Sequence, residues 1–429
     1  MTLPPGPTAG PARQTMRWLA RPIALLEDCR RTYGDAFSLN FLGFQSPLVF
    51  VSHPDAVKAL YTERGHGLPP GRALSLRPIV GERSVLLLEG PAHLSRRKLM
   101  LPPFHGERMR AYEPIMREAA AREIDRWPES EPFAVHPSMQ AITLEVIMRA
   151  VFGVERRDLA DLLRELLRLT ASAQLQFLVL LARRVGGPDP LARFDALTAQ
   201  IDDILLAEIA QRRADPDTAQ RDDICALLIQ ARFEDGAPME RREIRDQLLT
   251  LLVAGHETTA TALAWTLDLL AHHPEALKRL TDEVDAGGDA YLRAVIAESL
   301  RLRPVVPLAG RRLTSDLRVD GLDLPAGTDV TPAIWLTHTR ADTYPEPYAF
   351  RPERFLNGAP STYAWIPFGG GIRRCLGAAF AEMEMRVVLT EILRRRVPSP
   401  GSKKAERVAR RNVTFSPRHG TRILATRRT

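Results

Sequence analysis

Cysteine is scarce in this 429-residue chain: Cys29, Cys225 and Cys375 are too few for a disulfide framework and too widely spaced for a CxxC metal site. Any cysteine chemistry must come from a lone thiol with suitable neighbours, and a reducing compartment fits. Long apolar runs are missing as well. The longest, 248–271, is interrupted by His256, Glu257 and Asp268, and reads as a buried core helix. A membrane span needs about 20 apolar residues, and a signal peptide an apolar core of roughly 7–15. Neither is legible, so a cytoplasmic protein without membrane attachment is expected. GxGxxG and Walker loops, internal repeats, and flavin or iron–sulfur modules are all lacking. The chain therefore carries no recognisable nucleotide-binding module. No Pro/Gly-rich linker divides it. The expected organisation is a flexible Pro/Gly-rich start, 1–15, followed by a single domain, 16–429.

The net charge of +7 is uneven: from Arg394 onward twelve Lys or Arg face one acid, Glu406, a local +11 that leaves −4 for the rest. A basic tail can mark a nucleic-acid protein. No zinc-finger spacing, RNP-like aromatic motif or helix-turn-helix accompanies it, so no nucleic-acid partner is expected. A solvated, Arg-rich surface reads equally well.

Helical periodicity dominates. It predicts an amphipathic helix over 18–33, a short hairpin from 37–42 and 47–51 around Gly43, and a helix opening at His53-Pro54-Asp55. An irregular segment, 65–89, reads as a long surface loop. Helices follow at 92–101, 112–127, 138–151, 159–181, 191–213 and 222–231, with Gly and Pro at 185–188 separating the two long ones. The longest, 240–272, would span about 50 Å at 1.5 Å per residue. Helices at 274–284 and 289–303 precede a β-like stretch, 305–330, a structureless Pro-rich stretch, 344–367, and a last helix, 376–396. The fold class expected is mainly α with small β-sheets.

Three motifs carry chemistry. In Phe368-Gly-Gly-Gly-Ile-Arg-Arg-Cys375-Leu-Gly377, the run Gly369–Gly371 allows positive φ and close approach of something bulky. Arg373 offers a bidentate donor to a carboxylate. Cys375 precedes an apolar helix whose N-terminal dipole favours a thiolate, and Gly377 leaves room for a flat ligand. Cys29 and Cys225 lack such flanks and read as inert buried thiols. In Glu298-Ser-Leu-Arg301 the i, i+3 spacing puts acid and base on one helical face, in a helix apolar enough to be buried. In Ala254-Gly255-His256-Glu257-Thr258-Thr259 a polar island interrupts an otherwise apolar helix. A glycine and two β-branched threonines are poor helix formers there, and a Thr hydroxyl competes for the i−4 carbonyl.

The first motif matches every fixed position of the F-x-x-G-x-R-x-C-x-G loop, and here the sequence resembles the cytochrome P450 family, the heme-thiolate monooxygenases, in their soluble bacterial form. Pro352-Glu353-Arg354-Phe355 matches the family's P-E-R-F motif, and the three motifs stand in the expected order. The resemblance implies a single large helical fold holding heme b (iron protoporphyrin IX). Cys375 would be the axial ligand of the iron, the only metal contact, and Arg373 would pair with a heme propionate, with Phe368, Gly371 and Gly377 shaping the loop. Glu298, Arg301 and Arg354 would form a structural triad behind it. Thr258 would hydrogen-bond the dioxygen and Glu257 relay protons, while His256 occupies the motif's variable position as a satisfied core or solvent side chain. His93 and Arg97, i and i+4 after Gly90-Pro91, resemble further heme anchors. Arg311 resembles a third propionate partner, with Arg312 next door an alternative. Exposed basic residues are the plain alternative for these four.

The activity implied is O2-dependent insertion of one oxygen atom into a small apolar organic substrate. Candidate pocket walls at 86–88, 175–181 and 305–308 are aliphatic. Electrons would come from a ferredoxin-type donor with its reductase, an acidic protein docking over Arg374 and Arg386, and the chain is expected to act as a monomer. A peroxide-driven enzyme or heme isomerase would have no use for the Glu257–Thr258 pair, and a non-catalytic heme sensor none for Thr258.

Overall fold

Pro22 decides the first departure from the sequence reading. A proline disfavours the α conformation in the residue before it, and Arg21 takes φ −146° and ψ 64°. The expected single helix over 18–33 is therefore two, Pro11–Ala20 and Pro22–Tyr33. This is a computed structural model; it describes residues 3–63, 67–68, 76–154, 156–171, 191–319, 321–358, 360–411 and 413–428. The expected apolar wall at 175–181, the end of the 159–181 helix, the break at 185–188 and much of the 65–89 loop lie outside the described residues.

The chain forms two compact units. The first comprises Met1–Leu74, Met116–Ile142 and Thr258–Thr429. Its strands Ala36–Leu39 and Leu48–Val51 pair antiparallel, and Gly43 between them has φ 87°. Leu48–Val51 then runs parallel to Asp329–Pro332, which Arg311–Arg312 joins antiparallel. Alternate residues of these strands face a core in which Phe37 stacks on Phe50 at 5.3 Å and Trp18 lies 6.0 Å from Phe415. The Pro/Gly-rich start is held to this sheet: the Ser38 N–H donates to Pro5 O at 3.0 Å, and the Gln14 side chain donates to Pro7 O and Ala9 O.

The basic tail is folded rather than merely solvated. After helix Ala378–Arg395 come strands Arg396–Pro400, Val408–Arg411, Thr414–Pro417 and Arg422–Arg427. Arg396 is buried and donates to Ile124 O at 3.1 Å, Arg395 reaches Asp125 at 3.2 Å, and Arg428 reaches Asp285 at 2.7 Å. Most acids that offset this charge lie far away in sequence, so a window confined to the tail finds Lys and Arg with Glu406 alone against them. The 344–367 stretch likewise contains a short 3-10 turn, Pro352–Phe355, and is fixed by Tyr344, whose buried hydroxyl donates to Ala364 O at 3.0 Å.

The second unit comprises Ser75–Ile115 and Thr143–Glu257. Its helices include Gly90–Met100, Arg157–Ala171, Ala192–Ala214 and Ile224–Gln230. Asp223 caps the last of these, accepting from the Ala226 N–H at 3.0 Å. The segment expected as loop contains a helical turn at 76–80 and is pinned by Gln247, which accepts from the Val85 N–H at 3.0 Å and donates to Arg83 O at 2.6 Å. Helix Arg241–His272, 32 residues long, belongs to the second unit as far as Glu257 and to the first from Thr258.

Candidate active site

Tyr61 explains two of the loop glycines. A Cβ on Gly370 would overlap the Tyr61 ring, and one on Gly371 would overlap its carbonyl oxygen. Gly369 and Gly371 also adopt φ 68° and 65°, which side-chain-bearing residues rarely take. The bulky group that these glycines approach is thus a tyrosine from the end of helix Pro54–Thr62. Gly377 differs: a Cβ there would meet nothing within 4 Å.

The loop closes on itself where the Cys375 N–H donates to Phe368 O at 2.9 Å and the Arg374 N–H donates to Gly371 O at 3.1 Å. Cys375 is exposed, and three residues later helix Ala378–Arg395 begins. Burial pushes the Cys29 thiol up to about 11 and the Cys225 thiol up to about 12, so neither supplies a thiolate at neutral pH. Cys375 is the one thiol of the three that is exposed. The Phe368 ring meets Trp365 edge-on at 6.3 Å, and the Trp365 indole N–H donates to Ala297 O at 3.1 Å. Arg373 lies on the short 3-10 turn Gly371–Arg373, half-buried.

Arg311 and Arg312 have different fates. Arg312 is committed to Asp329, with bonds of 2.8 and 3.0 Å. Arg311 is buried; it donates to three carbonyls, Ala309 O at 3.1 Å, Gly310 O at 2.9 Å and Gly370 O at 3.3 Å, and stacks 5.0 Å over the Tyr61 ring. Among the described residues no carboxylate lies within ion-pair distance of it, and burial pulls its pKa below the usual arginine range. A buried guanidinium without an anion is costly. Arg311 is joined to the cysteine loop through Gly370 O, and the chemistry of its guanidinium fits a heme propionate.

Behind the loop, Glu298 and Arg301 form a fully buried bidentate pair with bonds of 2.6 and 2.7 Å. Arg301 donates further to His338 O, Pro347 O and Ala349 O, and Glu298 accepts the Arg351 N–H at 2.9 Å. Arg354 Nε stands 3.4 Å from Glu298, an ion-pair distance without hydrogen-bond alignment. The structure thus brings all three expected triad residues together.

His338 is the positioning residue that sequence reasoning missed. It accepts the Ile366 N–H at Nε2 (2.8 Å) and faces Arg301 O with Nδ1 (3.1 Å). Accepting at Nε2 requires the Nδ1–H tautomer, which then donates to the carbonyl. The ring is held neutral, with its pKa lowered to about 3 chiefly by burial. It ties the Glu298–Arg301 helix to the strand of chain entering the cysteine loop. Nothing in Trp335-Leu-Thr-His338 signals this role, because both partners are remote backbone groups.

On helix Arg241–His272, Gly255 admits helix His136–Phe152: a Cβ there would come within 3.3 Å of Ile147 Cδ1. The Thr143 hydroxyl donates to His256 O at 3.0 Å. His256 is a satisfied core residue, its Nδ1 3.0 Å from Leu252 O and its pKa lowered to about 4 by burial. Within the polar island Ala254 is exposed and Glu257 and Thr258 are half-buried, although Leu252 and Ala260 flanking them are buried. His93 and Arg97 share one face of helix Gly90–Met100 in the second unit, His93 buried and Arg97 half-buried.

The family model for cytochrome P450 matches residues 4–407. Cytochrome P450 135B1 of Mycobacterium bovis is 43% identical over 431 residues, covering 99% of this chain and 91% of that protein. Cytochrome P450 137 of Mycobacterium tuberculosis is 40% identical over 403 residues, covering 92% of this chain and 83% of that one. Among solved structures, the retinoic-acid-bound cyanobacterial CYP120A1 superposes with a TM-score of 0.86 at 26% identity, covering 99% of each chain. With an exposed cysteine in a glycine loop, a buried arginine bonded to that loop and family similarity along almost its whole length, the chain belongs to the cytochrome P450 family of heme monooxygenases.

Proposed function

We propose that the protein uses heme b to insert one oxygen atom from O2 into a C–H or C=C bond of a small apolar organic substrate, with 16–429 acting as one catalytic domain in a cytoplasmic monomer. The observation that carries this reading is an exposed Cys375 in the same loop whose Gly370 carbonyl accepts from the buried guanidinium of Arg311. Cys375 Sγ would hold the iron, and Arg311, Arg373, His93 and Arg97 would hold the propionates. When bound, heme supplies the activation of O2, for which the amino acids of this chain have no substitute.

The chain's own part is to bring protons and exclude water. The Thr258 hydroxyl and Glu257 carboxylate, both half-buried and adjacent on a largely buried helix, form an acid–alcohol pair. The carboxyl can give up a proton and recover it from solvent, and the hydroxyl can pass it on without itself ionising. Removing the hydroxyl should leave electron consumption largely intact while product formation fails. For Thr258→Ala the expected result is roughly a hundredfold fall in product per O2 consumed, the lower end of the range for a lost proton transfer. An unchanged ratio with O2 and reductant, or equal turnover of the parent with peroxide alone, would count for a peroxide-driven enzyme or a heme sensor instead.

Electrons would come from a ferredoxin-type protein with its reductase. Arg374, exposed beside Cys375, offers the donor a positive contact. Arg386, expected to share that role, is instead occupied by Asp289 at 3.1 Å. Steering by exposed charge is screened by salt, so the rate of reduction by an acidic ferredoxin should fall several-fold between roughly 20 and 500 mM salt. A flat salt profile in stopped-flow reduction would remove the acidic-donor reading.

A further inference from the structure

Glu257 takes its bearing from the peptide bond before it. A peptide unit is planar, so the His256 carbonyl and the Glu257 Cα belong to one rigid plate. Whatever holds that carbonyl also holds the root of the Glu257 side chain. In a regular helix a carbonyl accepts the N–H four residues on, and the plate is held by its own helix. Here it has a partner from another helix. The Thr143 hydroxyl, 113 residues away in sequence, donates to His256 O at 3.0 Å, and both residues are buried. The Thr266 hydroxyl shows the ordinary alternative, donating to Ala262 O on its own helix at 2.9 Å.

The surroundings are shaped for this bond. Thr143 and Ile147 stand at i, i+4 on one face of helix His136–Phe152. Ile147 lies against Gly255, where a Cβ would come within 3.3 Å of Ile147 Cδ1. The missing side chain at 255 lets the two backbones approach closely enough for the hydroxyl one residue on to reach its carbonyl. The His256 ring does not enter the contact, since its Nδ1 is engaged 3.0 Å from Leu252 O. Thr143, Ile147, Gly255, His256 and Glu257 all belong to the second unit. A helix carbonyl that also bonds outward tilts toward the outside donor, as carbonyls on a wet face tilt toward water. The plate is therefore turned as well as held.

We propose that Thr143 is a positioning residue for oxygenation, its hydroxyl setting the peptide plane from which the Glu257 carboxyl gives up its proton. The inference rests on the proton-relay role proposed above for Glu257, and Thr143 acts through that residue. It requires a hydroxyl at 143 and is indifferent to the threonine methyl. Valine keeps the shape and loses the donor, whereas serine keeps the donor and loses the methyl. Helix Arg241–His272 runs unbroken through this turn, so His256 O keeps its ladder N–H in a valine variant and no buried acceptor is left bare.

Product formed per O2 consumed by the heme-loaded full chain tests the proposal, in Thr143→Val, Thr143→Ser, Glu257→Gln and Thr143→Val/Glu257→Gln. Thr143→Val should lower the ratio about tenfold, and Thr143→Ser should restore it to within about twofold of the parent, because small misplacements of a reacting group are costly. Added to Glu257→Gln, Thr143→Val should change the ratio less than about twofold, since residues acting as one unit are not additive. Hydrogen exchange of the same heme-loaded chains, read by mass spectrometry, should be several-fold faster over 255–260 in Thr143→Val and unchanged in Thr143→Ser. Thr143→Ala also lacks the hydroxyl and repeats the valine comparison should that variant load heme poorly. A parent-like ratio or parent-like exchange in Thr143→Val, with Glu257→Gln impaired, would overturn the proposal and leave the relay reading standing. So would equal losses in the valine and serine variants, or a full tenfold loss on top of Glu257→Gln. A parent-like ratio in Glu257→Gln would remove the relay reading and this inference with it.

Discussion

Cys375→Ala is expected to remove the strongly red-shifted Soret band of the reduced, carbon-monoxide-treated protein and to lower oxygenation by at least ~1000-fold, because no other side chain of the chain is placed to donate a thiolate to the iron. The geometry makes this a local experiment. The loop is closed by the Cys375 backbone N–H on Phe368 O, which alanine keeps, and the side chain is exposed, so no core cavity opens. The thermal midpoint of the heme-free chain should therefore hardly move while the spectrum changes completely. An independent reading comes from alkylation of the heme-free chain at pH 8. With thiols pushed up to about 11 and about 12, Cys29 and Cys225 stay protonated and buried, so iodoacetamide should label Cys375 alone. A variant that kept the red-shifted band would transfer the ligand role elsewhere. Label on Cys29 or Cys225 would instead show that their environments are looser than the burial found here.

What the sequence displayed and what it hid follow from the range of the interactions involved. Local signals were legible. A His-Pro start at 53–54 and apolar periodicity located most of the long helices to within a few residues, since each depends on neighbours three or four positions away. The cysteine loop and the Glu298–Arg301 spacing were legible for the same reason. Long-range pairings were not. The four strands after Arg395 read as a solvated basic surface because the acids that meet them, Asp125, Glu129 and Asp285, come from other parts of the chain. Sequence leaves Arg311 and Arg312 equivalent, and what distinguishes them is Asp329 on the paired strand, which engages Arg312. Tyr61 against Gly370–Gly371 and His338 against Ile366 are of the same kind. Each is a side chain fitted to a distant backbone, where residue type says little and topology says everything.

That dependence on distant backbone sets the expectation for the buried ion pair. Glu298→Ala should cost about 3–5 kcal/mol, the usual penalty for leaving one partner of a buried pair uncompensated, and the protein should accumulate with little heme. The sharper test is the double variant Glu298→Leu/Arg301→Met. Replacing a buried pair with apolar residues of similar volume is often neutral or stabilising, so a pair that served only itself would be recovered. Here Arg301 also satisfies His338 O at 2.8 Å, Pro347 O at 2.7 Å and Ala349 O at 3.2 Å, while Glu298 holds the Arg351 N–H at 2.9 Å. The double variant leaves the three carbonyls buried or half-buried without that partner, each costing on the order of 1–3 kcal/mol. It should therefore be no more stable than Glu298→Ala, and its heme content no higher. Arg301→Lys should fare little better, because an ammonium cannot span two carboxylate oxygens and three carbonyls at once. Denaturant unfolding of the three variants, with heme-to-protein ratios measured alongside, separates the cases. Recovery of the double variant to within about 1 kcal/mol of the parent would mean that the pair does not anchor the 338–351 backbone. The link from the Glu298 helix through His338 to the cysteine loop would then rest on the imidazole alone.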